Sequence, residues 1–277
     1  MKKFTFEVFP PNKNYPEEKL YPALYEFAAM KPDSISVTYS AGGTGGGETE
    51  KFAAYIVNKL NTPSVAHLTC LNSSITDIDA ELTNLYDSGV TSVMALRGDK
   101  VAGETPTGKF KYASELVAHI RQSHPRFTVY GACYPECHSE CDNLDLDVEH
   151  LAIKAQAGVS ALYSQLFFDN AAWFRFADKA RAKGITIPLY PGIMPITSAN
   201  QIKRMVSLSG ASLPPKFTKL LAKFGGSTEA LFDAGCAYAV EQIAELLAND
   251  ADGIHLYTMN RPAVARRIGE NVRHLFL

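Results

Sequence analysis

The sequence lacks a surplus of either charge and lacks long apolar runs. Its 277 residues include 27 Lys and Arg against 29 Asp and Glu, a formal net charge of −2. Such a balance gives no electrostatic basis for binding nucleic acid or an anionic membrane surface. No stretch of about 18 apolar residues occurs, so we expect no membrane-spanning helix. The first residues carry no apolar run of signal-peptide length, and we expect no secretory signal.

Cysteine is also scarce. Five cysteines, an odd number in a chain of this length, are typical of reduced thiols and predict a cytoplasmic protein. The stretch ACYPECHSEC contains Cys133, Cys137, His138 and Cys141. Its C-x3-C-x3-C spacing lacks the C-x2-C pair of most structural zinc sites, so we predict no metal site, with metal binding as the weaker alternative. Tyr134 and His138 are better interpreted as stacking or hydrogen-bonding groups around a cofactor.

Glycine is concentrated in one loop, AGGTGGGET, residues 41–49. The loop follows a predicted strand and precedes a predicted helix, and Gly42 and Gly47 have the G-x4-G spacing of a phosphate-binding loop. Glu48 stands where such a loop needs a lysine, and its carboxylate would repel phosphate. We therefore predict a flexible loop beside the mouth of a site.

Short β-branched or aromatic runs alternate with helix-period segments along the whole chain. The predicted strands are residues 4–9, 34–39, 64–70, 92–97, 127–134, 161–168, 186–192 and 253–258. The predicted helices are 16–30, 48–60, 74–89, 112–123, 146–158, 170–184 and 227–249, with a short extra helix in 212–226. Strict alternation implies a parallel sheet, and eight strands can close on themselves. We predict an α/β fold, a (β/α)8 TIM barrel with residues 1–277 as a single domain; a doubly wound open sheet is the alternative.

Polar side chains stand at the carboxyl ends of nearly all predicted strands, where barrel active sites gather. They are Glu7, Thr38, His67, Arg97, Asp99, Tyr134, Gln165 and Tyr257. Glu7 lies in an otherwise apolar strand, where a buried carboxyl is protonated or paired; a neutral carboxyl suits a general acid. His67 alone is more typical of a core histidine. Arg97 and Asp99 in LRGD are costly there unless they bind each other or a ligand.

Eight motifs together resemble one family. They are FTFEVFPP, ISVTYSAGG, VAHLTC, VMALRGD, YPECH, SQLFFD, YPGIMPI and HLYTMNR. In order and approximate spacing, from residue 4 to about 265, they are similar to the catalytic domain of bacterial-type 5,10-methylenetetrahydrofolate reductases. The resemblance implies a barrel holding noncovalent FAD, which NADH or NADPH reduces. The reduced flavin then converts 5,10-methylenetetrahydrofolate to 5-methyltetrahydrofolate in one-carbon metabolism. We also expect a homo-oligomer.

The resemblance also implies roles for single residues. Glu7 matches the catalytic glutamate, which protonates the N10 side of the methylene bridge, and Asp99 matches the aspartate between flavin and pterin. The matched FAD contacts are Thr38, His67, Arg97, Asp99, Tyr134, His138, Asp147 and Lys154. The matched substrate contacts are Gln165, Tyr257 and Arg261. Without the resemblance, Asp147 and Lys154, seven apart on one predicted helix, would be interpreted as a solvated surface.

The sequence departs from the family in several places and leaves alternatives open. Ser139 replaces a common proline, Met205 falls where some members place a phenylalanine, and a long C-terminal regulatory domain is not expected. The electron donor could be NADH, NADPH or a partner subunit. Another barrel acting on pterins, such as a synthase or methyl carrier, is the second hypothesis. A noncatalytic flavin- or folate-binding subunit is the third, although it could lose Glu7 and Asp99, and both are present.

Overall fold

Eight parallel strands close into a barrel in the order in which they occur along the chain. The computed structural model describes residues 2–39, 47–100, 103, 105–198, 201–202, 205 and 209–276. Each strand pairs with its successor, and the eighth pairs with the first. The closed sheet confirms the predicted (β/α)8 barrel and excludes the open doubly wound sheet. The assignment of residues 1–277 to one domain stays a prediction.

Strands and helices alternate as predicted. The strands are β1 (Lys3–Val8), β2 (Ser34–Val37), β3 (Ser64–Thr69), β4 (Ser92–Leu96), β5 (Thr128–Cys133), β6 (Ala161–Leu166), β7 (Leu189–Ile193) and β8 (Gly253–Tyr257). The helices are α1 (Glu17–Ala29), α2 (Gly47–Leu60), α3 (Ile75–Asp87), α4 (Ala113–Ser123), α5 (Leu144–Gln156), α6 (Asn170–Ala182), α7 (Pro215–Phe224), α8 (Thr228–Ala248) and α9 (Pro262–Val272). None of the helices in the described ranges is long and apolar enough to cross a membrane.

Two elements differ from the sequence expectation. β7 begins at Leu189, three residues later than predicted, directly after a proline that has no N–H to give to a sheet. The helix α9 was not predicted at all. Its buried residues Val264, Ala265, Ile268 and Val272 do follow a helical period, so the signal was present.

The inside of the barrel is filled by side chains. Val65, Met94, Ala161, Tyr163 and Tyr190 form one buried cluster, although they come from β3, β4, β6 and β7. Because β3 and β7 are not neighbours in the sheet, these side chains meet across the interior. The barrel is therefore a packed core rather than a pore, and the polar strand ends lie above it.

Close approach of α8 to the segment after β7 depends on Gly235. An added Cβ there would lie 1.7 Å from the Ile196 carbonyl oxygen, whereas at Gly226 it would meet nothing within 4 Å. We expect Gly235→Ala to lower the free energy of unfolding by about 1–3 kcal/mol, the usual cost of overpacking. Gly226→Ala is the matched control and should change the free energy of unfolding by less than about 1 kcal/mol. Urea unfolding of both variants measures this, and an unchanged Gly235→Ala midpoint would contradict it.

Candidate active site

Glu7 faces two imidazoles at the carboxyl end of the barrel. Its Oε2 lies 3.4 Å from His255 Nε2 and 3.5 Å from His67 Nε2, and its side chain is 17% exposed. The parallel register of β1 and β8 places Thr5 beside His255 and Glu7 beside Tyr257. Since side chains two apart on a strand share a face, all four point the same way. One carboxylate oxygen of Glu7 therefore faces imidazoles from two other strands, β3 and β8.

His67 and His255 are both almost fully buried. Burial lowers the pKa of His67 below its ordinary value, against the opposing pull of the Glu7 carboxylate. Its Nε2 is buried and, among the described residues, meets no partner with hydrogen-bond geometry. The His67 ring is therefore neutral, with a nitrogen aimed at Glu7.

His255 is the site residue that the sequence reasoning missed. Its Nδ1 lies 2.8 Å from Thr5 Oγ1, so both ring nitrogens face polar atoms. The signal was available in HLYTMNR, because His255 stands two positions before Tyr257 on the same face of β8. If Tyr257 lies in the site, His255 on the same face of β8 is expected to lie there too.

The turn after β8 holds the end of β1 in place. Thr258 Oγ1 donates to the Glu7 carbonyl at 2.6 Å. The Asn260 side chain accepts from the Phe9 N–H at 3.0 Å and donates to the Phe9 carbonyl at 2.8 Å. The backbone on both sides of the Glu7 side chain is thereby fixed.

Tyr257 packs against the wall formed by β6 and β7. Its hydroxyl donates to the Ser164 carbonyl at 2.7 Å. A Cβ at Gly192 would lie 2.7 Å from the Tyr257 ring, so only glycine allows this packing. Burial and the Glu7 charge raise the pKa of Tyr257 well above its ordinary value, and the phenol stays protonated. Gln165 turns its Oε1 back to accept the Leu166 N–H at 2.8 Å.

Arg97 does not bind its sequence neighbour Asp99. Within the described residues, it forms a two-point ion pair with Glu140 and also donates to the Gly98 carbonyl. Lys100 contacts the same carboxylate. The hydrogen bond from Arg97, followed by that from Lys100, lowers the pKa of Glu140 to about 2. Glu140 was not identified from the sequence, whereas Asp99 is exposed at the strand end, as predicted.

Tyr134 and His138 contact each other edge to face after β5, with ring centroids 4.6 Å apart. The backbone N–H of His138 donates to Asp147 Oδ2 at 2.9 Å. The ring Nδ1 of His138 accepts the backbone N–H of Glu140 at 3.0 Å. Burial and the nearby Arg97 charge lower the pKa of His138. The ring is therefore neutral, with its proton on Nε2.

Lys154 and Asp147 face the barrel and not solvent. Lys154 Nζ donates to the Ala132 carbonyl at 2.7 Å, and Gly131 leaves room for its stem, since a Cβ there would lie 3.0 Å from Lys154 Cδ. Burial lowers the pKa of Lys154. The solvated surface suggested by the pattern alone is therefore wrong, and both side chains lie beside the β5 end.

Cys133 and Cys137, two of the cysteines around His138, carry their protons. Cys137 Sγ donates to the carbonyls of His138 and Cys141, each at 3.5 Å. Burial raises the pKa of the Cys137 thiol to about 11, and Cys133 is fully buried with its pKa also raised by burial. Because a thiolate is the form that ligates metal, these thiols are poorly suited to that role.

The remaining candidates lie around the rim. Thr38 follows β2, and its N–H donates to the Val8 carbonyl at 3.0 Å. Arg261, at the start of α9, contacts the Thr197 hydroxyl. Met205 is buried in an apolar cluster that also contacts Tyr257. Most of the predicted flexible loop 41–49, namely residues 41–46, lies outside the described residues.

The structure thus brings the candidates into two groups. Glu7, His67 and Tyr257 converge at the ends of β1, β3 and β8, together with His255. A second group surrounds the ends of β4 and β5, and its members are Arg97, Tyr134, His138, Asp147 and Lys154. One group offers a carboxyl between imidazoles, and the other offers cationic and N–H donors.

Known proteins resemble the chain over nearly its whole length. The family model described as Methylenetetrahydrofolate reductase matches residues 1–273. Methylenetetrahydrofolate reductase 1 of Schizosaccharomyces pombe is 32% identical over 274 residues, covering 97% of this chain and 45% of that protein. The 5,10-methylenetetrahydrofolate reductase of Buchnera aphidicola is 31% identical over 270 residues, covering 95% and 89%. The Arabidopsis thaliana protein methylenetetrahydrofolate reductase (NADH) 1 is 32% identical over 271 residues, covering 93% and 46%. The chain spans a little under half the length of the fungal and plant relatives.

Solved structures share the fold. A protein from Clostridium thermocellum, described as binding two copies of 5-methyl-5,6,7,8-tetrahydrofolic acid, superposes with a TM-score of 0.67 at 14% identity. The matched region covers 99% of this chain and 96% of that chain. A 2,3-dimethylmalate lyase of the PEP mutase/isocitrate lyase superfamily gives a TM-score of 0.53 at 13% identity, covering 99% and 83%. At these identities the likeness extends to the fold alone.

The lowered pKa of buried His67 makes stability depend on pH. The unfolded chain takes up a proton at His67 near pH 6.5, and the folded chain does so only at lower pH. Unfolding therefore binds a proton, and this residue costs up to about 1.4 kcal/mol of stability per pH unit as pH falls below about 6.5. We expect His67→Gln to flatten the dependence of the urea midpoint on pH. The exposed His150→Gln is the control; equal slopes in both variants would contradict the assignment.

Proposed function

The chain belongs to the methylenetetrahydrofolate reductase family, and we propose that it reduces 5,10-methylenetetrahydrofolate to 5-methyltetrahydrofolate with a noncovalently bound FAD. The observation that carries this proposal is the Glu7 carboxyl, which faces the Nε2 atoms of His67 and His255 at the carboxyl end of the barrel. A carboxyl that exchanges protons in a largely buried position is what opening of the methylene bridge requires. The exposed Asp99 follows β4, at the same end of the barrel and three strands from β1.

The groups around β4 and β5 have the chemistry to hold FAD. Lys154 is a half-buried lysine whose hydrogen bond, among the described residues, goes to a backbone carbonyl. Arg97 offers a planar donor suited to phosphate once Glu140 moves aside. His138 Nε2–H and the Thr38 hydroxyl add neutral donors, and Tyr134 adds an aromatic surface. When bound, the flavin supplies the hydride that reduces the substrate carbon.

Glu7 supplies the proton that opens the five-membered ring of the substrate. The bond from the methylene carbon to N10 breaks, its electron pair stays on N10, and the Glu7 proton is transferred to that nitrogen. The carbon remains double-bonded to N5 as an iminium ion, which accepts hydride to become the methyl group. Without that proton, N10 would leave as an amide anion, which is a poor leaving group. Glu7 ends the step as a carboxylate.

His255 positions the Glu7 carboxyl. Thr5 Oγ1 lies 3.4 Å from the Ile254 carbonyl, to which it donates, so its lone pair accepts from His255 Nδ1–H. His255 Nε2 is then free to accept a hydrogen bond from the protonated Glu7 carboxyl. This arrangement holds the acid in the orientation in which it meets the substrate.

The substrate contacts follow from the same geometry. The Asp99 carboxylate stabilises the positive charge of the iminium ion through space. Tyr257 and Gln165 border the pterin, with Met205 in the apolar wall beside them. Arg261 sits farther out, next to Thr197, where it meets the outer part of the folate.

We propose NADH as the reductant, the nucleotide that the Arabidopsis relative's name specifies. NADPH or a partner subunit are the alternative electron donors. We propose that the enzyme works in the cytoplasm as a homo-oligomer, without nucleic-acid or membrane partners. The second candidate function is a folate-binding barrel without reductase activity, favoured by the fold shared with the folate-binding Clostridium thermocellum protein. That candidate needs no flavin.

Glu7→Gln removes the proton and keeps the shape. We expect FAD to stay bound and to be reduced by NADH or NADPH at an ordinary rate. Reduction of methylenetetrahydrofolate should fall by about 10²–10⁴-fold, the usual contribution of a general acid. Stopped-flow measurement of the two half-reactions separates these effects, with the exposed Glu18→Gln as the control. Folate reduction that survives in Glu7→Gln would overturn the general-acid role.

Arg97→Ala tests the cofactor side of the site. Loss of a charged donor to phosphate should raise the FAD dissociation constant by about 10–100-fold. Glu140→Gln removes the carboxylate that competes for Arg97 and should lower the FAD dissociation constant. Fluorescence titration of the flavin-depleted protein measures both constants, and the exposed Arg175→Ala is the control. If Arg97→Ala retains FAD as tightly as the unsubstituted protein, Arg97 is not a cofactor contact.

A further inference from the structure

Two histidines and one aspartate converge on the outer surface of the barrel. His119 Nε2 lies 2.7 Å from Asp79 Oδ1, and His124 Nε2 lies 3.0 Å from the same oxygen. The three potential ligand atoms all lie within 4.8 Å of one another. Within the described residues, this is the one group of three or more such side chains with that spacing. It is not part of the site around Glu7.

The local backbone creates this convergence. Residues five apart on a helix point about 140° apart, so His119 and His124 would diverge if α4 continued. Instead α4 ends at Ser123, and His124 leaves the helical conformation with φ −130° and ψ 57°. Its N–H still donates to the Ile120 carbonyl at 2.8 Å, which holds the turn. The second imidazole is thereby brought beside the first.

Aromatic rings support both imidazoles from behind. The Phe110 ring lies 5.2 Å from the His119 ring, and the Phe127 ring lies 6.5 Å from the His124 ring, centroid to centroid. The His119 and His124 side chains are only 16% and 21% exposed, while Asp79 is 40% exposed. Half-buried rings on a fixed turn lose little freedom when they take a ligand. The open side of Asp79 leaves an entry path.

We propose that Asp79, His119 and His124 bind a divalent transition-metal ion, with Zn²⁺ as the ion that fits best. Two imidazole nitrogens and one carboxylate oxygen, with a fourth position left for water, form a common zinc ligand set. Tetrahedral bonds of about 2.0–2.1 Å require ligand atoms about 3.3 Å apart. The observed separations of 2.7 and 3.0 Å therefore need to open by only a few tenths of an ångström.

Binding moves one proton on each ring. The Nε2 atoms that now face Asp79 must present lone pairs to the ion, so each imidazole carries its proton on Nδ1 or releases it to solvent. A cavity of about 230 Å³, lined in part by His124, Thr83 and Tyr86, adjoins the group and has room for the water ligand.

The ion would join α3 to the end of α4. His124 lies four residues before β5, so the site is near the amino ends of the strands, on the side opposite to Glu7. Its expected role is structural, and it does not depend on the proposed function. A bound ion stabilises the folded chain in proportion to its occupancy.

Zinc titration of the full-length, flavin-containing protein, after treatment with a chelator, tests the proposal. We expect one Zn²⁺ per chain by isothermal titration calorimetry, and a rise in Tm when Zn²⁺ is added. Asp79→Asn and His119→Gln should each weaken binding by about 100-fold or more, since loss of even an outer partner of a ligand costs about 10–100-fold. Far-UV circular dichroism checks that the variants fold.

Two controls separate this site from the thiols and from the surface. His150→Gln removes an exposed histidine on α5 and should leave zinc affinity unchanged. Co²⁺ in place of Zn²⁺ should give a visible d–d band without a thiolate charge-transfer band. Absence of binding, or binding that persists in both Asp79→Asn and His119→Gln, would overturn the proposal. A thiolate band lost in Cys137→Ser would instead assign the ion to the cysteines and equally overturn it.

Discussion

Closure of the barrel between β8 and β1 is the constraint on which the candidate site depends. That pairing sets His255 beside Thr5 and Tyr257 beside Glu7, so a carboxyl on the first strand meets an imidazole from the last. The residues concerned are about 250 positions apart, and no local structure could join them. The turn through Thr258 and Asn260 then fixes the end of β1. In an open sheet, Glu7 would lie on an edge strand and would lack His255 as a partner.

Burial then gives the two halves of the site different chemistry. Around Glu7, desolvation keeps His67 neutral and Tyr257 protonated. Around β4 and β5 the site holds charges of both signs, and Arg97 is paired with Glu140. An anionic cofactor group could take the place of the Glu140 carboxylate beside Arg97 and leave the arginine paired with a negative charge. Under the proposed function, proton supply by Glu7 and cofactor binding around β4 and β5 belong to separate strands of one barrel.

The sequence was informative where its signals are local. Alternation of strand and helix patterns predicted the eight strands to within a few residues, and the strand-end polar residues lie at one rim because parallel strands end together. Arg97 was expected beside Asp99 or a ligand, but its partner Glu140 is 43 positions away and depends on the fold of the β5–α5 loop. The contact of His255 with Glu7 likewise depends on the pairing of β8 with β1. The hydrogen bond from Lys154 to the Ala132 carbonyl on β5 likewise depends on how α5 packs against the barrel.

An anaerobic absorbance spectrum of the purified protein tests the central claim most directly. NADH or NADPH is added first, and methylenetetrahydrofolate second. The account predicts an oxidised flavin band that bleaches with the nucleotide and returns with the folate, which establishes both half-reactions. A flavin band that is reduced by 5-methyltetrahydrofolate but not by nucleotide would keep the folate chemistry and assign another electron donor. A protein that holds no flavin, even after FAD is supplied, would contradict the reductase assignment.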